Sequence, residues 1–214
     1  MKIAPSLLSA DFMNLQKDVS MLNANADIAH LDIMDGEFVP NLSFGFSVVD
    51  ALKGKFTIPV DAHLMVKNPE RWFGRFASDG IDMLSFHWEE SRGNTSAFID
   101  TLHSLGLKAG VAINPDIPVS RLYPYIGKAD YLLIMSVFAG FGGQKCIYES
   151  LDRVAGLRKK IQEYGADTQI EVDGGVGPSN VKALAEAGAD ILVAGSAVFK
   201  SEDPAQTIKL LQSA

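Results

Sequence analysis

Short apolar runs recur along the chain, and amphipathic stretches separate them. Eight runs read as strands: Lys2–Ser6, Ile28–Asp32, Pro59–Leu64, Met83–Phe86, Lys108–Ile113, Tyr131–Met135, Gln169–Asp173 and Ile191–Ala194. Between them, Leu15–Leu22 carries apolar residues at Leu15, Val19, Met21 and Leu22, the spacing of a helix face. Pro69–Phe76 opens with a proline at a helix start. Thr95–Leu105, Leu151–Tyr164, Val181–Ala187 and Pro204–Leu211 also have helical spacing. Gly80, Gly106 and Gly188 stand where helices end before the next strand. The pattern is strand, helix, strand, helix throughout. Eight such units predict a (β/α)8 barrel, the TIM-barrel architecture, with residues 1–214 forming a single domain. A doubly wound open sheet is the structural alternative.

Alternation within the strands says which side chains face the barrel interior. In the second run His30, Asp32 and Met34 share one parity, and the apolar Leu31 and Ile33 share the other. In the third, Asp61, His63 and Met65 oppose Val60, Ala62 and Leu64. In the seventh, Glu171 and Asp173 oppose Ile170 and Val172. The polar sets are therefore expected to point inward, with His30, Asp32, His63 and Asp173 near the C-terminal end of the barrel, where this architecture places its chemistry.

Taken singly, these residues have ordinary explanations. A lone strand histidine is more often a hydrogen-bonded core residue than a ligand, and Asp173-Gly174-Gly175 alone reads as a turn. Together they change the picture, because burying two imidazoles and two carboxylates without a cation or charge partner is costly. The set suits one divalent metal ion, and Zn, Fe(II), Mn and Co all accept such ligands. Two carboxylates, Asp32 and Asp173, are also what moves a proton between the two faces of a carbon. Asp61 and Glu171 lie one layer deeper, either orienting the imidazoles or pairing in the barrel floor. His87 and Glu89 are read as supporting groups, and His103 as a solvated helix residue. Met34, Met65 and Met135 are expected to line the cavity beside the ligands.

Glycine-rich segments follow the last three strands: Gly140-Phe141-Gly142-Gly143, Gly174-Gly175 and Gly195-Ser196. Loops after the seventh and eighth strands of such barrels commonly bind phosphate through main-chain N–H groups, aided by a helix N-terminus. The nucleotide-triphosphate motif GxxxxGK[ST] is absent.

Charge and cysteine content narrow the partners. With 19 basic and 26 acidic residues in 214, the net charge is −7. This disfavours nucleic acid and anionic membranes as partners but permits a small phosphorylated ligand. No run of about 18 apolar residues marks a transmembrane helix, and the first residues lack the apolar core of a signal peptide. A single cysteine, Cys146, rules out an internal disulfide, fits a reducing cytoplasm, and is expected to be a buried inert thiol.

The segments APSLLSADF, HLDIMDGEFVPNLSFG, DAHLMVKNPE, GVAINPDIP, GFGGQK, IEVDGGV and GADILVAGSAVF, in this order, resemble the ribulose-phosphate 3-epimerase family across nearly the whole chain. The resemblance implies a TIM barrel that interconverts D-ribulose 5-phosphate and D-xylulose 5-phosphate. Its metal ligands fall on His30, Asp32, His63 and Asp173, with Fe(II) or Zn favoured. Asp32 and Asp173 become the acid/base pair, and Ser6 and His63 contact substrate. Gly140–Gly143, Gly174, Gly175, Gly195 and Ser196 become the phosphate-binding segments, and the assembly a homo-oligomer. The chain departs from the family pattern at Phe138-Ala139, Cys146 and Glu37. These departures leave open a hexulose 6-phosphate such as D-allulose 6-phosphate as substrate. A phosphosugar decarboxylase is disfavoured because Asp61-Ala62-His63 lacks the lysine such enzymes place there. A non-catalytic sugar-phosphate-binding barrel is the alternative of another class.

Overall fold

The computed structural model describes residues 1–214. Its strands are β1 (Lys2–Pro5), β2 (Ala29–Met34), β3 (Val60–Met65), β4 (Met83–His87), β5 (Lys108–Ile113), β6 (Tyr131–Met135), β7 (Gln169–Asp173) and β8 (Ile191–Ala194). All neighbours are parallel, in the order β1-β8-β7-β6-β5-β4-β3-β2. The ring closes between β1 and β2 through a single parallel bridge, Ser6 to His30. This is the expected (β/α)8 barrel, and the closing bridge excludes the open-sheet alternative.

The helices are α1 (Leu15–Asn25), α2 (Phe46–Leu52), α3 (Phe73–Ser78), α4 (Thr95–Ser104), α5 (Ser150–Tyr164), α6 (Val181–Ala187), α7 (Ser196–Phe199) and α8 (Pro204–Gln212). The alternation of strand and helix is not complete, however. Between β5 and β6 there are only two short 3₁₀ turns, Val119–Arg121 and Tyr123–Tyr125. Pro115, Pro118 and Pro124 explain this, since each lacks an N–H and cannot continue an α-helix. After β8 there are two helices, so the total is restored. The expected helix at Pro69–Phe76 is a 3₁₀ turn, Pro69–Arg71, followed by α3. No helix is long and apolar enough to cross a membrane.

Side chains of one strand parity, such as Leu31, Leu64, Leu84, Val111, Leu132, Val172 and Leu192, join the helix faces in the main core of 45 buried residues. The other parity fills the barrel. Ala4, Ile28, Met83, Tyr131, Ile191 and Val193 form a separate buried cluster inside it, beneath the polar groups that follow along β2, β3, β4 and β7.

Four aspartates close the N-terminal end of the barrel in the same way. Asp27, Asp82, Asp130 and Asp190 each stand just before an even-numbered strand. Each accepts the N–H of a residue in the preceding odd strand: Ile3 (2.8 Å), Val60 (2.8 Å), Ala109 (2.8 Å) and Ile170 (2.7 Å). Each aspartate's own N–H donates back to the carbonyl of that same residue, at 3.3, 2.9, 3.0 and 2.8 Å respectively. These reciprocal clasps satisfy backbone groups that the ends of the ladders leave open.

Tyr131 crosses the barrel interior because Gly110 leaves room for it. A Cβ at Gly110 would lie 2.3 Å from Tyr131 Cζ and 2.8 Å from Ser85 Cβ. The ring is fully buried, and its hydroxyl donates to Asp61 at 2.6 Å. Gly110→Ala is therefore expected to destabilise the fold by about 1–3 kcal/mol through overpacking. Urea unfolding measures this, and an unchanged midpoint would contradict the steric account.

Candidate active site

The parallel register of β2 and β3 places His30 beside Asp61, Asp32 beside His63, and Met34 beside Met65. Inward parity then brings together two imidazoles and two carboxylates. His30, Asp32, His63 and Asp173 each offer a ligand atom, and these atoms lie within 4.8 Å of one another. The two histidines are fully buried, Asp32 nearly so, and Asp173 faces the cavity with its side chain 15% exposed. His30 Nε2 is 3.4 Å from Asp32 Oδ1, and His63 Nδ1 is 3.3 Å from the same oxygen and 3.5 Å from Asp173 Oδ2.

The groups beneath orient this set. His30 Nδ1 lies 2.8 Å from Asp61 Oδ2, and the other Asp61 oxygen accepts the Tyr131 hydroxyl. His30 is thereby turned so that Nε2 faces the cluster. That nitrogen is buried and has no hydrogen-bond partner in the protein, which fits a cation-binding position. Ser6 Oγ donates to Asp32 Oδ2 and accepts the N–H of Leu8 at 3.2 Å, so Ser6 fixes Asp32 across the same seam where the barrel closes.

The electrostatics follow from burial and proximity. Burial alone would lower His30 and His63. Asp32 and Asp61 around His30, and Asp173 and Asp32 around His63, reverse this and raise both imidazoles, His30 strongly. Burial alone would raise Asp32, but the charges and hydrogen bonds of His30 and His63 hold it far below the usual carboxylate range. Burial, reinforced by the Asp61 charge, pushes Glu171 well above its ordinary value. A carboxyl group whose charge is disfavoured in this way is the weaker ligand candidate, which disfavours the alternative cluster of His30, Asp61 and Glu171.

A cavity open to solvent lies above this cluster. Ser6, Asp32, Met34, Met65, Met135, Gly140–Gly143, Asp173, Gly174, Gly175, Gly195 and Ser196 all line it, and His30 and His63 lie below its floor. The N–H groups of Gly174, Gly175 and Gly195 donate to no backbone carbonyl. Close packing requires glycine at two of these positions. A Cβ at Gly174 (φ +121°) would meet Val137 Cγ2 at 2.4 Å, and one at Gly175 (φ +63°) would meet Cys146 N at 2.3 Å. Phe138 and Phe141 stand half exposed at the mouth.

Some residues here escaped the sequence reading. Tyr131 shares its parity with Leu133 and Met135, so alternation could have placed it inside. Asn114 directly follows β5, where the strand-end argument applied equally well. Its side chain donates to Glu89 Oε1 at 2.9 Å and accepts the Ala139 N–H at 3.0 Å. His87 Nε2 lies 2.9 Å from His63 Nε2, and burial together with the His63 charge lowers the His87 pKa. Cys146, expected to be buried, is only half-buried, because its loop runs over the edge of the β7 turn. Burial still raises its thiol pKa.

Known proteins share both the sequence and the fold. Residues 2–199 match the Ribulose-phosphate 3 epimerase family. The chloroplastic ribulose-5-phosphate-3-epimerase of Arabidopsis thaliana is 44% identical over 209 residues, covering 97% of this chain and 74% of its own. The ribulose-phosphate 3-epimerase of Escherichia coli K12 is 43% identical over 213 residues, covering 99% and 94%. Among solved structures, 3-hexulose-6-phosphate synthase from Salmonella typhimurium aligns with a TM-score of 0.74 at 18% identity, covering 100% of this chain and 97% of that one. That likeness shows the barrel alone. The match across almost the whole length and the identity to full-length relatives lead to one assignment: the chain belongs to the ribulose-phosphate 3-epimerase family of enzymes.

Proposed function

We propose that this chain is a metal-dependent ketose-phosphate 3-epimerase that interconverts D-ribulose 5-phosphate and D-xylulose 5-phosphate by two-base proton transfer at C3. One observation carries the reading. Asp32 on β2 and Asp173 on β7, from strands that are not neighbours, offer oxygens into one cavity together with His30 and His63, all within 4.8 Å. The buried, unpartnered Nε2 of His30 and the mixed nitrogen and oxygen donor set suit a divalent ion, Fe(II) or Zn, held by His30, Asp32, His63 and Asp173. Bound there, such an ion supplies the positive charge that stabilises an enediolate.

The residues of the chain do the rest. One of Asp32 and Asp173 takes the C3 proton as a carboxylate, and the other, protonated, gives a proton to the opposite face. The roles exchange in the reverse direction. Ser6 holds Asp32 in place through its hydroxyl. The N–H groups of Gly174, Gly175 and Gly195, with Ser196 at the start of α7, receive the phosphate and fix C3 between the two carboxylates. Met34, Met65 and Met135 give the reacting centre an apolar lining. Residues 1–214 act as one catalytic domain in the cytoplasm. The exposed apolar residues Phe12, Met13, Leu42 and Trp72 support assembly as a homo-oligomer.

A second substrate, a hexulose 6-phosphate such as D-allulose 6-phosphate, is favoured only by the half-exposed Phe138 at the mouth, where a longer sugar would extend. The test is turnover of metal-loaded protein on both sugars in deuterium oxide. Ribulose 5-phosphate is expected to turn over faster and to acquire deuterium at C3. Absence of turnover on either sugar, with metal bound, would leave a non-catalytic binding barrel.

A further inference from the structure

We propose that His87 is a positioning residue that fixes the tautomer of His63, and that Glu89 and Asn114 carry this constraint out to the loop after β6. The inference rests on the metal-site reading above.

His63 differs from His30 in which nitrogen it presents. His30 turns Nε2 toward the cluster, with Nδ1 against Asp61. His63 turns Nδ1 toward it, 3.3 Å from Asp32 Oδ1 and 3.5 Å from Asp173 Oδ2. A metal-binding imidazole needs its lone pair on the facing nitrogen and its proton on the other. For His63 that proton belongs on Nε2, which lies 2.9 Å from His87 Nε2. The ring centroids are 5.0 Å apart and the planes 25° from parallel. With the nitrogens so close, the rings meet end to end rather than face to face, and a single proton occupies the gap. His63 Nε2–H therefore donates, and His87 Nε2 accepts.

To accept, a neutral His87 must carry its own proton on Nδ1. That atom is buried without a hydrogen-bond partner, and Glu89 Oε1 lies 3.5 Å from it. The same oxygen is held by the Asn114 backbone N–H at 3.2 Å and by Asn114 Nδ2 at 2.9 Å. Asn114 Oδ1 in turn accepts the N–H of Ala139 at 3.0 Å, in the loop that lines the cavity mouth. Polar groups from four strand ends thus lie in sequence, hydrogen-bonded at every step except His87 to Glu89, where the ion-pair distance of 3.5 Å still favours the proton on His87 Nδ1. His87 also packs against Phe38, with ring centroids 4.6 Å apart, so a purely space-filling role is the competing explanation.

Two variants separate these roles. His87→Gln retains an acceptor for His63 Nε2–H, and His87→Leu fills space without one. Zn(II) affinity, measured by competition with a chromophoric chelator on the full chain, is expected to fall about 10–100-fold in His87→Leu and to stay within about threefold of wild type in His87→Gln. Nitrogen-15 spectra of the zinc-loaded wild type are expected to show His63 protonated at Nε2, a readout that needs no variant to fold. Wild-type affinity in His87→Leu or equal losses in both variants would overturn the relay while the metal site stands, and a His63 proton on Nδ1 would overturn the relay together with ligation through that nitrogen. A wild-type chain that binds no zinc, iron(II), manganese or cobalt would remove the relay and the metal reading together.

Discussion

Asp173→Asn is expected to reduce turnover by about 10²–10⁴-fold, the contribution typical of a positioned acid or base, while the barrel still folds. Asparagine matches the shape of aspartate but neither takes up nor delivers a proton at neutral pH. The backbone role of this position is untouched by the change. The Asp173 carbonyl accepts the Ser136 N–H at 2.8 Å and the Ser136 hydroxyl at 3.0 Å. Thermal unfolding should therefore move little, and the loss should appear in kcat. Because Asp173 is also a proposed ligand, the assay must be run at saturating metal with bound metal quantified. Near-wild-type turnover under those conditions would end the two-carboxylate scheme.

Removing the metal with a strong chelator is expected to reduce epimerisation to background, and restoring Zn(II) or Fe(II) to recover it. The metal-free state also makes a prediction about pH. In it, protons on His30 and His63 balance the carboxylates. The folded-state values of both imidazoles lie above the reference of 6.5. Their stabilising contribution is therefore complete below about pH 6.5 and is lost as pH rises through the folded values. Asp32 shifts the other way, down from 3.8. Its contribution is present above about pH 3.8 and is lost as pH falls through its folded value. The cluster without metal is thus best satisfied between those limits. Metal binding must displace the histidine protons, so affinity should rise with pH. The difference in melting temperature between loaded and metal-free protein should be larger at pH 8 than at pH 6. A difference that shrank with rising pH would contradict proton displacement from this cluster.

Much of this site was legible because a barrel interior obeys simple alternation. Once His30, Asp32 and His63 were assigned inward parity at strand ends, their convergence with Asp173 followed from the architecture. The glycines after β6, β7 and β8 were legible for a similar reason: loops on one rim share one cavity. The segment between β5 and β6 breaks the strand–helix pattern because Pro115, Pro118 and Pro124 forbid an α-helix there. The roles of Asp61 and His87 were legible only in outline and that of Asn114 not at all, because each depends on which atom of a neighbour lies within hydrogen-bonding reach. Register and side-chain rotation fix that, and periodicity carries neither. The aspartates before β2, β4, β6 and β8 form a visible repeat, but only their paired hydrogen bonds give it meaning.

Those clasps divide the ring into four modules of two strands each, β1–β2, β3–β4, β5–β6 and β7–β8. The clasp is common to all four, whereas the clustered side chains are unevenly distributed. The first module supplies His30 and Asp32, the second His63, and the fourth Asp173. The third supplies none of them and instead carries Phe138 through Gly143 on its exit loop. Inheritance can therefore act on the modules separately: the loop of the third can diversify to admit another sugar while the other three retain the reaction.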